Sequence, residues 1–146
     1  MARRATARPR RKKDLKMRRL VSLLIGSVLL AAAPAGAAPR LDPEQRLARA
    51  IEGRVAGEPV RCLNLRNIRS SRIIDRTAII YDAGGTLYVN RPRAGRESLD
   101  QWDVMVTRPF NSQLCSIDVV HLYDTASRIQ TGSVFLGDFV PYRKPR

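Results

Sequence analysis

The sequence predicts a mainly β domain with one short N-terminal helix, built as a small antiparallel sheet or partly closed barrel. Three observations carry this. Two runs rich in Ile, Val and Tyr flank Asp82-Ala83-Gly84-Gly85, the pattern of a β-hairpin in which the glycines accept positive φ. Several further stretches alternate apolar and polar residues between turn signals. A single stretch after Asp42 carries helical spacing instead.

The chain begins with ten Lys or Arg and one acid in residues 1–19. An apolar run, Leu20 to Ala33, follows, and then Pro34-Ala35-Gly36-Ala37-Ala38-Pro39. A basic segment, an apolar core and an A-x-A site describe a secretory signal peptide over 1–37, cleaved before Ala38. The apolar run is shorter than the roughly 18 residues of a membrane span, so membrane contact is expected only through this leader. Arg18-Arg19 lacks most of the surroundings of a twin-arginine signal. Met17-Arg18-Arg19-Leu20 would by itself open a compact leader, which leaves Met1 and Met17 as alternative starts. Export places the mature chain in the periplasm or outside the cell.

Residues 38–58 are expected to hold a linker and the helix. Asp42 reads as its N-cap, Pro43 as its first residue and Glu44 as a favourable acid in its first turn. Leu47, Ala50 and Ile51 form one apolar stripe, and Gly53 is a stop, so the helix spans about 43–52. Residues 55–59 read as a turn region.

The β domain is expected over 59–142. Leu63 and Leu65 alternate with polar neighbours in a first strand, and Arg69-Ser70-Ser71 ends it. The hairpin strands are expected near 72–82 and 86–91. Residues 91–101, with Pro92, Gly95 and three arginines, read as a surface loop. Trp102, Val104 and Val106 alternate in a further strand, before a turn carrying Pro109. Residues 113–123 read as one strand with Cys115, Ile117, Val119, His121 and Tyr123 on one face. A loop over 124–132 and a last strand over 133–142 follow, and then a basic tail, 143–146.

Cys62 and Cys115 are the only cysteines, and an exported chain meets an oxidising compartment, so a disulfide between them is expected. It would close a loop of about 52 residues and tie the first strand to a late one. Cys62 lies out of phase with Leu63 and Leu65, whereas Cys115 lies in phase with Ile117 and Val119. Either a bulge near Cys62 reconciles the two or the pairing is wrong. A catalytic thiol is the alternative, without a C-x-x-C motif to support it.

The formal charge of +14 suggests nucleic acid until the leader is set aside. Without the leader, 17 basic and 12 acidic residues leave +5, and 16 of the 17 are Arg, with Lys144 the exception. Few aromatic residues are available to stack on bases, so nucleic acid is not the expected partner. Anionic envelope material is the candidate partner instead.

Five stretches carry a family resemblance. They are Cys62-Leu-Asn-Leu-Arg66, Arg72-Ile-Ile-Asp75, Gly84-Gly85-Thr-Leu-Tyr88-Val-Asn90-Arg91, Leu114-Cys115-Ser-Ile-Asp118 and Leu136-Gly137-Asp-Phe139-Val-Pro141. Over about 55–144 the chain resembles an uncharacterised family of small secreted proteobacterial proteins, a domain of unknown function. The resemblance implies no catalytic residues. It does imply that two further cysteines of many relatives, near the positions of Glu97 and Val134, are missing here. Their joint absence would leave Cys62–Cys115 as the remaining bridge.

No G-x-S-x-G motif, Walker loop or H-E-x-x-H is present. His121 is the sole histidine, so no multi-His metal site can be built, and Asp118 and Asp124 flank it on the opposite strand face. The acids lack calcium-loop spacing. No catalytic, metal or cofactor residues are therefore expected, and the chain reads as a binding or structural protein rather than an enzyme; a small hydrolase whose site, with His121 or paired acids, assembles only in space is the remaining alternative. The arginines are the one cluster. If the hairpin folds as read, Arg72 and Arg91 meet at its open end, with Arg69 and Arg93 in adjacent loops. Convergent guanidinium groups would bind carboxylates or phosphates. The plainer alternative is a solvated, Arg-rich surface balanced by acids.

Overall fold

A computed structural model describes residues 40–109 and 111–145. The expected leader, its cleavage site and both candidate start methionines lie outside these residues. The described chain is mainly β with one helix, α1 (Pro43–Ala50), and ten strands. The strands are β1 (Val55–Ala56), β2 (Cys62–Asn64), β3 (Ser70–Ile74), β4 (Ala78–Asp82) and β5 (Thr86–Asn90). After them come β6 (Asp103–Val106), β7 (Gln113–Cys115), β8 (Val119–Asp124), β9 (Gln130–Phe135) and β10 (Phe139–Arg143). A five-stranded sheet has the order β1-β10-β5-β4-β3, a three-stranded sheet the order β6-β8-β9, and β2 pairs with β7 alone. Every pairing between these strands is antiparallel. Among the described residues no sheet closes into a barrel.

The helix starts as its sequence dictates. The Asp42 carboxylate accepts from Gln45 N (2.8 Å), and the Gln45 side chain accepts from Asp42 N (3.2 Å), closing a capping box. Eight residues are too few to hold a helix in water, so packing must hold this one. Leu47 supplies it, buried with Ile74, Ala78, Ile80, Leu87 and Val89 on one face of the large sheet. The opposite face carries Ile73, Ile79, Tyr81 and Phe139, which pack against Leu63, Leu114, Val120, Leu122 and Val134 of the two smaller sheets. The large sheet is thus the middle of three layers.

Several expected strands are shorter than read. The run 72–82 is two strands, because residues 75–77 make a tight turn with Arg76 at φ 48°. No Gly or Pro marks this turn. Its partners are the Thr77 hydroxyl on Asp75 O (2.9 Å) and Leu99 O accepting from Arg76 N (3.0 Å). The expected hairpin is therefore the second half of a three-stranded meander. The run 113–123 is likewise broken at 116–118, which reverses the expected faces: Leu114, Val120 and Leu122 point inward, and Ile117 is 76 % exposed. The run 133–142 divides at Leu136-Gly137-Asp138, where buried Asn90 donates to Gly137 O (2.5 Å) and accepts from Gly137 N (3.2 Å). Residues 55 and 56, read as turn, form edge strand β1 on β10. Residues 65–67, read as strand, form a 3-10 turn. Val104 and Val106 do alternate, but facing solvent.

Cys62 and Cys115 are bonded and sit directly opposite each other, with Cα atoms 4.0 Å apart. The phase conflict disappears without a bulge. Leu63 and Leu114 form the inward pair of this ribbon, and both cysteines belong to its outward side. Reduction or a Cys62→Ser/Cys115→Ser variant is expected to lower stability by about 4 kcal/mol, the chain-entropy value for a loop of this length. Urea unfolding extrapolated to water checks this, with the m-value fitted separately because removing the cross-link also loosens the unfolded chain.

Burial pushes the Tyr81 phenol above the usual tyrosine range. The folded state favours the neutral phenol, so this contribution to stability is complete below about pH 10 and is lost as pH climbs toward the folded-state value. Tyr81→Phe keeps the ring that packs edge-on to Phe139 at 5.7 Å. That variant is expected to lose less stability than the parent above about pH 10, read from urea midpoints across the alkaline range.

Candidate functional site

β3 ends, and β6 begins, at one junction. The Asp75 carboxylate accepts from Gln101 N (2.7 Å) and from the Arg46 guanidinium (2.6 Å), which also reaches the Gln101 side chain (2.5 Å). Each strand is the last of its sheet, so among the described residues neither has a neighbouring strand on its outer side. From the junction the two edges bound a groove of about 550 Å³, within the usual range of ligand sites. Ile74 and Arg72 line one side, Trp102 and Met105 the other, and Arg49 and Leu41 belong to the segment around α1.

Cations outnumber anions along this groove, with Arg46, Arg49 and Arg72 against Asp103. Arg46 is committed to Asp75. Asp103, which also lines the groove, accepts from the Thr131 hydroxyl. Among the described residues, Arg49 and Arg72 have no carboxylate within ion-pair reach. Trp102 is 71 % exposed beside them, a large apolar surface left in water.

The structure does not gather Arg69, Arg72, Arg91 and Arg93 at one point. Arg72 sits opposite Ile80, whose other neighbour is Val89. Arg91 follows Asn90 at the end of β5, two strands and two positions away, which is about 12 Å along the sheet. Arg91 instead makes a two-bond ion pair with Glu44, both contacts 2.7 Å. That hydrogen-bonded contact holds the Glu44 carboxyl below its usual range and raises Arg91 further. Arg93 donates to Leu136 O (2.9 Å) and Ser116 O (2.7 Å). Arg69 lies at the far end of the meander, its guanidinium against Gly84, in a separate cleft with Arg66 and Tyr88. Of the four, only Arg72 enters the groove.

Two groove residues were not among the sequence candidates. Arg49 reaches the site because α1 lies across the large sheet, a relation between elements that no local spacing encodes. Trp102 did carry a signal, as the single tryptophan of the chain between polar residues.

His121 is half-buried on the outer face of the three-stranded sheet, with Nδ1 2.9 Å from the Ser133 hydroxyl, which also accepts from the Gln130 amide (3.0 Å). Both flanking acids are occupied elsewhere. Asp118 accepts from Cys115 N (2.7 Å), and Ser127 holds the Asp124 carboxyl low through its N–H and hydroxyl. The pair therefore lacks an acid to orient it, and neither residue lines the groove at the β3–β6 junction. Among the described residues no group of three His, Cys, Asp or Glu could hold a metal. No helix among them is long and apolar enough to cross a membrane.

Comparison with known protein families, curated proteins and solved structures returns no match. The site must be read from its own chemistry.

Arg93 is expected to act through the fold rather than through a ligand. Arg93→Ala should cost about 1.5–3 kcal/mol, the usual value of hydrogen bonds from a charged donor, because two carbonyls lose their partner. Urea unfolding measures this, and an unchanged midpoint would refute it.

Proposed function

We propose that this chain is a non-enzymatic binding module that works outside the cytoplasm, and that an anionic ligand occupies the groove at the β3–β6 junction. The observation that carries the reading is the pair Arg49 and Arg72, two cations without carboxylate partners among the described residues, beside an exposed tryptophan. Guanidinium forks bind carboxylates and phosphates, and an indole face next to them adds apolar contact. Fixed cations held on a helix and a strand, rather than on loops, suit a site that binds without rearranging.

Support for the extracytoplasmic part comes from the Cys62–Cys115 bridge, since disulfides persist in oxidising compartments. The basic, apolar and small-residue pattern of residues 1–37 supports it independently. The reading agrees with membership in the small secreted proteobacterial family that the chain resembles, and anionic envelope material is the corresponding ligand source.

Inorganic polyphosphate tests the reading, because Trp102 is the single tryptophan and its emission reports from the groove. A saturable emission change that weakens with added salt is expected. Arg49→Ala/Arg72→Ala should weaken binding by about tenfold or more while leaving the urea midpoint in place. Unchanged affinity in that double variant would overturn the assignment of the site.

A further inference from the structure

The walls of the groove say more than its charge does. Among the described residues both are free sheet edges: β3 is the last strand of the five-stranded sheet, and β6 is the last strand of the three-stranded one. A free edge presents a row of backbone donors and acceptors, which natural proteins usually cover or blunt. Here the two edges are pinned together at one end, by Asp75 on Gln101 and by Arg76 N on Leu99 O, and they part beyond it. The strands run in opposite senses about that pin, since β3 arrives at it and β6 leaves it. The gap is a wedge whose lips are both strands.

The chemistry of the wedge divides by face. Arg72 shares its sheet face with Ile74 and Ile80, the side covered by α1, where Arg49 also lies. Met105 packs on the other side, with the core that contains Ile73, and Trp102 stands at the same lip. A strand laid along β3 would send alternate side chains to these two sides. One side offers the cations Arg49 and Arg72, and the other offers the apolar surface of Met105 and Trp102, with the Asp103 carboxylate at the same lip.

We propose that the occupant of the wedge is an extended acidic polypeptide segment, added to the edge of β3 as a further strand, with acidic and apolar residues in alternation. The proposal rests on the anionic-ligand reading above and adds the class of ligand and its mode of binding. Main-chain hydrogen bonds to the β3 edge supply affinity, as in other strand-addition complexes, and the alternating side chains supply selection. Acidic residues meet Arg49 and Arg72, and apolar residues meet Met105 and Trp102. A segment with charge but no free backbone, such as polyphosphate, satisfies only the first half of the site.

The experiment follows Trp102 emission in the disulfide-bonded protein with three probes. One is a capped six-residue peptide of alternating Glu and Val. The second is the same peptide with its alternate amides N-methylated, which keeps charge and side chains but removes donors on one edge. The third is inorganic polyphosphate. The expected result is saturable binding of the first peptide and at least tenfold weaker binding of the methylated one. Equal affinity for the two peptides would overturn strand addition and leave the groove as a site for anions. A response to polyphosphate alone would do the same. If none of the three changes the emission, strand addition and the anionic-ligand reading both fall.

Discussion

The large sheet has to be covered on both faces, and the rest of the architecture follows from that. In β4 the residues Ala78 to Tyr81 are all buried, which an antiparallel strand meets only when each face has its own covering layer. On one side the cover is α1, an eight-residue helix whose single fully buried residue is Leu47. On the other side it is the β6-β8-β9 sheet and the β2–β7 ribbon, which together deliver Leu63, Leu114, Val120, Leu122 and Val134. Neither cover can stand alone. The helix is too short, and the ribbon has three residues to a strand.

That three-layer arrangement also explains which parts of the fold were legible in the sequence. The class was legible, because period-two alternation and a capped helical stretch are local properties. The helix start at Asp42-Pro43 and the turn at Gly84-Gly85 were legible for the same reason. The breaks at 75–77, 116–118 and 136–138 were not. Each is held by distant partners: Leu99 for Arg76, Arg61 O for Ser116 N, and Asn90 for Gly137. An apolar run buried on both faces also hides its own breaks, since no alternation is left to lose phase. Asp75, Asn90, Asp118 and Gly137 sit at these joints.

The arginines show the same limit at the level of the site. In sequence, Arg69, Arg72, Arg91 and Arg93 look equivalent. Folding commits Arg91 to Glu44 and Arg93 to two main-chain carbonyls, and it turns Arg69 toward a different turn. Arg72 is left to face Arg49, a residue 23 positions earlier and on another element. A cluster by sequence became an ion pair, a brace and half of a groove. What decides the outcome is which acceptors the fold brings within reach, and these lie on α1 and on the chain after β9 and β7.

The placement of the cysteines has a consequence for how the molecule is made. They are separated by 53 positions, and between them lie the whole meander and β6. Contacts that span so much chain form late, because the intervening loop must first be gathered by shorter-range pairings. The β3–β4–β5 meander pairs strands adjacent in sequence, whereas β2 and β7 pair across 49 to 53 positions. The bridge is one of several long-range links, since β5 meets β10 across 49 to 57 positions and β1 meets β10 across 86 to 88. Cys62 lies on the exposed side of the ribbon, where a thiol oxidant can reach it without opening the core. With both cysteines on the outer side of the ribbon, the bridge can close or reopen without disturbing the layers beneath it.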